Sequence, residues 1–308
     1  MASFASMLIP LAPTVRREKR RFRDPEATRR AIVDRQIRPT SYAPPARLGG
    51  DVDVAIRWRG CWAIYEVTPR QGTPIGNAVY LHGGAYFEEI TSLHWNLIAR
   101  LASASLTRFS VPIYPLAPRA TASEVVPTAT DIAADLISEV GADGLTLMGD
   151  SAGGGMSLAV ALQLRDRGLP APRHTLLISP WLDISMSDPG ISDLERVDPI
   201  LAPAGLKVAG ALYRGTLDER DPLVSPIHGD LRGLGHVTMF SGTHDILNAD
   251  ARRFVQAASA AGVSLDYFEA PGMVHAYPLL PIPEAEKARR AMEKVLGEQR
   301  LAGPGRPP

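Results

Sequence analysis

Leu145-Thr-Leu-Met-Gly-Asp-Ser-Ala-Gly-Gly-Gly155 constrains this chain more than any other stretch. An apolar strand pattern runs into Gly149-Asp150-Ser151-Ala152-Gly153, and an apolar helix pattern follows at once. This is the G-x-S-x-G form of a nucleophile elbow. A serine hydroxyl becomes a useful nucleophile when it is presented to a base and held clear of the backbone bonding around it. A sharp strand-to-helix turn does this, and glycines at 149 and 153 keep side chains out of the space where strand and helix meet. The turn also leaves the Ala152 N–H at a helix start, free to bond an oxyanion.

Such a turn needs a sheet around it, and the chain supplies one. Asp51–Arg57 and Cys61–Val67 alternate as strands joined by the short link Trp58–Gly60, which predicts an antiparallel hairpin. Continuous apolar strands follow at 77–81, 110–114, 144–148, 174–179, 237–241 and 264–269. Between them lie helix patterns at 93–107, 123–140, 152–167, 249–261 and 283–296. Apolar strands alternating with helices predict a mostly parallel α/β sheet of eight strands, covered by helices on both faces.

Two segments stand outside that rhythm. Residues 1–47 read as helical and then irregular, with Asp24-Pro25-Glu26 a helix start for a segment running to about Arg35. From about 181 to 234 no strong strand appears, only acidic, Pro-rich sequence around a helix near Pro203–Tyr213. Long excursions of this kind in compact domains serve as lids or binding segments. The catalytic domain is expected over 48–300, and the tail 301–308 is expected to be disordered.

Composition narrows the function classes. Lys plus Arg and Asp plus Glu both total 33, so charge offers nothing to nucleic acid. The single cysteine, Cys61, excludes an intrachain disulfide and a cysteine-cluster metal site. No apolar run reaches the ~20 residues of a membrane span. At the start the apolar stretch precedes the basic run Arg16–Arg23, the reverse of a secretory signal. A cytoplasmic location is expected, as a monomer or homodimer, with the basic run a solvated helix face.

Ser151 needs a base and a group to orient it. His174 and His236 begin strands, at the wrong edge of a parallel sheet. His275 follows the last strand, in Ala270–Tyr277, at the edge where the elbow opens, and is the best base. The acid should leave another strand at that edge, as Asp245 does in Ser241–Leu247. Asp250 is the competitor, but its place at a helix start suits N-capping. The order Ser151, Asp245, His275 is that of the nucleophile-elbow hydrolases. Gly83 and Gly84 follow a neighbouring strand and can present bare N–H groups beside Ala152 as oxyanion donors.

His82-Gly-Gly-Ala-Tyr86 with Gly149-Asp-Ser-Ala-Gly-Gly154 resembles the hormone-sensitive-lipase-like esterases of the α/β-hydrolase fold. Tyr114–Pro118, Asp221–Pro226 and Gly272–His275 extend the resemblance over about 50–290. It implies a helical cap from residues 1–47 and the insertion. It also implies Ser151, Asp245 and His275 as the triad, and Gly83, Gly84 and Ala152 as oxyanion donors. Ala85 stands where the family has a third glycine, and it and Tyr86 are expected to touch substrate. The implied substrate is a small-molecule carboxylic ester of short to medium acyl chain, cleaved with no cofactor and no metal. A lactonase, amidase or peptidase would use the same residues; a non-catalytic receptor of this fold would lack a triad member.

Overall fold

The computed structural model describes residues 3–298. The chain opens with α1 (Phe4–Leu8), α2 (Pro13–Arg23) and α3 (Pro25–Ile37). α3 starts as its sequence dictates, with Pro25 at the first position and the Asp24 carboxylate accepting the Glu26 N–H at 2.9 Å. There follow β1 (Val52–Arg59), β2 (Trp62–Pro69), β3 (Gly76–Leu81), α4 (Ser92–Ser105), β4 (Thr107–Ile113), α5 (Ala122–Val140), β5 (Leu145–Asp150), α6 (Ser151–Asp166) and β6 (His174–Ile178). After β6 come α7 (Ile191–Val197), α8 (Pro203–Arg214), β7 (His236–His244), α9 (Asn248–Ala260), β8 (Leu265–Val274) and α10 (Pro283–Gly297).

The eight strands form one sheet in the order β1-β2-β4-β3-β5-β6-β7-β8. The pairings β1–β2 and β2–β4 are antiparallel and the rest are parallel. Neighbouring side chains on a strand face opposite sides. Val79, Leu81 and Leu147 therefore join the core under α5 and α6, whereas Tyr80 and Met148 join the one under α4 and α10. Strand order reverses at β3, which has β4 on one side and β5 on the other. Crevices at such a reversal, beyond the carboxyl ends of the strands, are where open α/β sheets bind ligands.

Some boundaries differ from those expected. The hairpin turns at Gly60–Cys61, with Trp58 still paired to Ala63, because Gly60 supplies the left-handed conformation of a two-residue turn. α4 stops at Ser105, where Leu106 turns left-handed and releases Thr107 into β4. β8 continues to Val274 because its ladder with β7 resumes past an irregularity at Gly242–His244, so most of the expected 270–277 loop is strand. α7 was not expected.

The segment before β1 and the one between β6 and β7 pack on each other. α8 crosses α2 and α3 at Gly205, where a Cβ would come within 2.7 Å of the Phe22 backbone and 2.6 Å of the Thr28 hydroxyl. Lys19 Nζ donates to the Leu201 carbonyl. The expected tail 301–308 lies outside the described residues. No described helix is long and apolar enough to cross a membrane.

Candidate active site

β5 ends at Asp150 and α6 begins at Ser151, whose φ of 52° is left-handed. That conformation costs an L-residue about 1–2 kcal/mol, so the sheet and helix on either side must impose it. The turn is tight enough that a side chain on Gly153 would strike the carbonyl oxygens of Leu81 and His82.

Three of the expected residues meet here. His275 Nε2 lies 2.9 Å from Ser151 Oγ, and His275 Nδ1 lies 2.9 Å from Asp245 Oδ2. Asp245 is fully buried, and its Oδ1 accepts the Leu247 N–H at 2.9 Å. With Nδ1–H donating to the carboxylate, Nε2 is free to accept the serine proton. Burial by itself would lower the imidazole pKa, but Asp245, then Asp198 and Asp150, outweigh it and raise it above the ordinary value.

Asp250 does not cap α9, against expectation. It is the third residue of that helix, fully buried, and its Oδ1 accepts from Arg253 Nη1 at 2.7 Å. Burial and nearby Asp183 push its carboxyl up to about 7. His174 and His236 sit together at the far edge, ring centroids 4.6 Å apart.

The loop after β3 corrects one expected oxyanion donor. The Gly83 N–H is already bonded to Asp150 Oδ1 at 2.9 Å, which removes it from the donor set. Among the described residues, the N–H groups of Gly84, Ala85 and Ala152 have no partner. Ala85 lines the cleft with φ 49°, so the methyl group stands where the chain turns left-handed. Tyr86 does not line the cleft. Its ring stacks on Tyr213, centroids 3.5 Å apart, and on Trp181, within the core.

Asp150, to which the sequence assigns no role, lies at the centre of the contacts that hold this loop. It is buried under the elbow and takes the Tyr80 hydroxyl at 2.7 Å, the Gly83 N–H, and His94 Nε2 at 3.2 Å. Burial pushes its carboxyl up, but His94, Tyr80 and Gly83 more than offset this and hold it below the ordinary value. His82 packs alongside, its Nδ1 2.7 Å from the Gly83 carbonyl and its ring stacked on Tyr114. Burial lowers the His82 imidazole to about 4, so it stays neutral. The only sequence signal for Asp150 was an acid at the end of an otherwise apolar strand.

A cleft of about 360 Å³ opens over Ser151 and His275, lined also by Ala85, Leu201, Leu206 and Leu279. On one wall Arg21 and Arg35 both bond Glu88, Arg35 Nε at 2.6 Å. Among the described residues no group of three or more His, Cys, Asp or Glu side chains is placed to hold a metal ion.

Comparison with known proteins fits this geometry. A model of the alpha/beta hydrolase fold matches residues 78–279. LipR of Mycobacterium tuberculosis, which carries the name acetyl-hydrolase, is 34% identical over 232 residues, 73% of this chain and 74% of its own. An acetyl-hydrolase of Streptomyces hygroscopicus is 33% identical over 220 residues, 70% of this chain and 72% of its own. The solved structure of a hormone-sensitive lipase from a metagenome library is similar with a TM-score of 0.78 at 25% identity, covering 90% of this chain and 98% of that one.

Proposed function

The chain belongs to the alpha/beta hydrolase fold family, in its hormone-sensitive-lipase-like branch, and from that premise we propose that this ester hydrolase cleaves short to medium acyl esters through an acyl-enzyme on Ser151. The observation that carries the reading is the unbroken chain of contacts Ser151 Oγ to His275 Nε2 to Asp245 Oδ2 at one edge of the cleft.

His275 Nε2 takes the serine proton as Oγ attacks the ester carbonyl carbon. Asp245 holds the imidazole in the Nδ1–H form and stabilises its positive charge. The carbonyl oxygen, now negative, accepts from the Gly84, Ala85 and Ala152 N–H groups. His275 then gives its proton to the leaving alcohol. Water enters, is deprotonated in the same way, and releases the acid. Of the expected cap, the described residues 3–47 and 181–234 lie over this edge, a reading supported by the crossing at Gly205 and by Leu201 and Leu206 in the cleft.

Acyl length follows from space. The cleft is near the small end of the roughly 300–1,000 Å³ range of small-molecule sites. Each buried methylene gains about 0.8 kcal/mol, but only until the cleft is full. The test is kcat/KM over aryl esters of increasing acyl length. The expected optimum lies at short chains, with no jump in rate on emulsified substrate, and Ala85→Gly moves the optimum to longer chains. A rate that keeps rising into long chains, with activation by emulsified lipid, would refute the limit set by the small cleft.

A further inference from the structure

Asp198 takes no part in the steps above, yet it is 2% exposed and lies against the acid side of the site. It follows α7 and uses both carboxylate oxygens. Oδ1 accepts the N–H groups of Ile200 and Leu201 at 2.7 and 2.8 Å, and Oδ2 accepts the Ile246 N–H at 2.9 Å. Ile200 and Leu201 line the cleft, and Ile246 is the residue after Asp245. One carboxylate thus ties the substrate-facing wall to the loop that carries the acid.

We propose that Asp198 is a positioning residue for the Asp245–His275 pair, fixing the acid loop through Ile246 and standing as a second negative charge behind it. The proposal rests on the reading of His275 as the base of ester hydrolysis.

The charges around it make the case physical. Lys19 of α2 faces Asp198 from the cap side, its Nζ donating to the Glu195 carbonyl at 3.1 Å and to the Leu201 carbonyl. Asp245 faces it from the other side, and His275 feels Asp245, Asp198 and Asp150. Burial first, and Asp245 second, push the Asp198 carboxyl up to about 6. A raised carboxyl contributes stability that is present at acid pH and lost as pH rises through about 6. At neutral pH the charge therefore opposes folding.

A purely structural Asp198 and a positioning one respond differently to Asn. Asn keeps an oxygen for Ile200 and Leu201, removes the charge, and sets an NH₂ against the Ile246 N–H. The experiment follows the His275 ring proton by NMR against pH in Ser151→Ala, with and without Asp198→Asn, so that no turnover is needed. The expected result is a His275 midpoint lower by roughly 0.5–1 pH unit, less than the 1–3 units of a direct ion partner. In the active background the acid limb of kcat/KM should move the same way. A folded Asp198→Asn with an unmoved midpoint would overturn the proposal. If that variant does not fold, Asp198→Ser, which leaves room for water at the N–H groups, takes its place with the same expectation. Full turnover in His275→Ala would instead sink the underlying reading of the base, whatever the midpoint did.

Discussion

Asp150→Asn would test how the loop after β3 is held. Tyr80 and Gly83 both donate to Oδ1, and His94 Nε2 to Oδ2. Asn fits the same space and keeps an oxygen for the first two, but turns an NH₂ toward His94. The imidazole cannot answer by switching tautomer, because its Nδ1 accepts the Thr91 N–H at 3.0 Å. Two donors then face each other in a buried site. One unsatisfied buried donor costs about 1–3 kcal/mol. With an unfolding entropy of about 2.1 cal/mol/K per residue over 308 residues, that lowers Tm by roughly 2–5 °C. Asp150→Ala leaves all three donors unpaired and should cost more.

Turnover should suffer as well, because Gly83 is the tether of the loop whose next two N–H groups are the proposed oxyanion donors. Losing one such donor outright costs about 10²–10³ in kcat, which bounds the effect of a displaced loop. The wild-type carboxyl is held below its ordinary value, so its contribution is present above that range and lost as pH falls through the folded value. The Tm gap between wild type and Asp150→Asn should therefore close in acid. Calorimetry from pH 3 to 8 and kcat and KM on an aryl acetate would measure both. A variant within 1 °C and twofold in kcat at neutral pH would refute the reading of Asp150 as the anchor of the loop.

Ser151→Ala and His275→Ala should each remove nearly all turnover, and together no more than either alone, since the residues act as a unit; an organophosphate adduct located by mass spectrometry on any residue but Ser151 would contradict this. Asp245→Asn should lower kcat by orders of magnitude, whereas Asp250→Asn should leave kcat unchanged. The Asp250 carboxyl is raised to about 7, so its stabilising effect is lost as pH rises through 7, and Asp250→Asn should be no less stable than wild type at pH 8 by thermal unfolding.

The sheet was legible because its central strands are buried on both faces and are therefore mostly apolar, as at Leu145–Met148 and Thr175–Ile178. Ser151 and His275 were legible because only certain strand ends face the crevice. The proposed oxyanion loop was half legible. Sequence shows which residues lack a Cβ, but not which N–H groups are already bonded, and it is the neighbouring Asp150 that takes Gly83. Tyr86 was misplaced because an aromatic residue after two glycines suits a pocket wall as well as a core, and its partner Tyr213 is distant in sequence. Asp198 left no signal at all. Its bond to the Ile246 N–H spans 48 residues, and a backbone partner imposes no residue type.

The same device recurs on both sides of the cleft. Loops at the carboxyl edge of a sheet have no ladder to satisfy their N–H groups, yet these groups cannot stay unpaired when buried. Here buried carboxylates accept them: Asp150 from Gly83, Asp198 from Ile200, Leu201 and Ile246, and Asp245 from Leu247. Bonds to a charged acceptor are roughly twice as strong as neutral ones, so each carboxylate fixes a length of irregular chain. The price is negative charge gathered in a dry place. His275 stands among all three, and each raises its proton affinity against the burial that would lower it. The groups that hold the loops thus also favour the protonated imidazole, which is what the proposed role of His275 requires. Loop geometry and proton affinity are therefore coupled, and a substitution that neutralises any one of these carboxylates should disturb both at once.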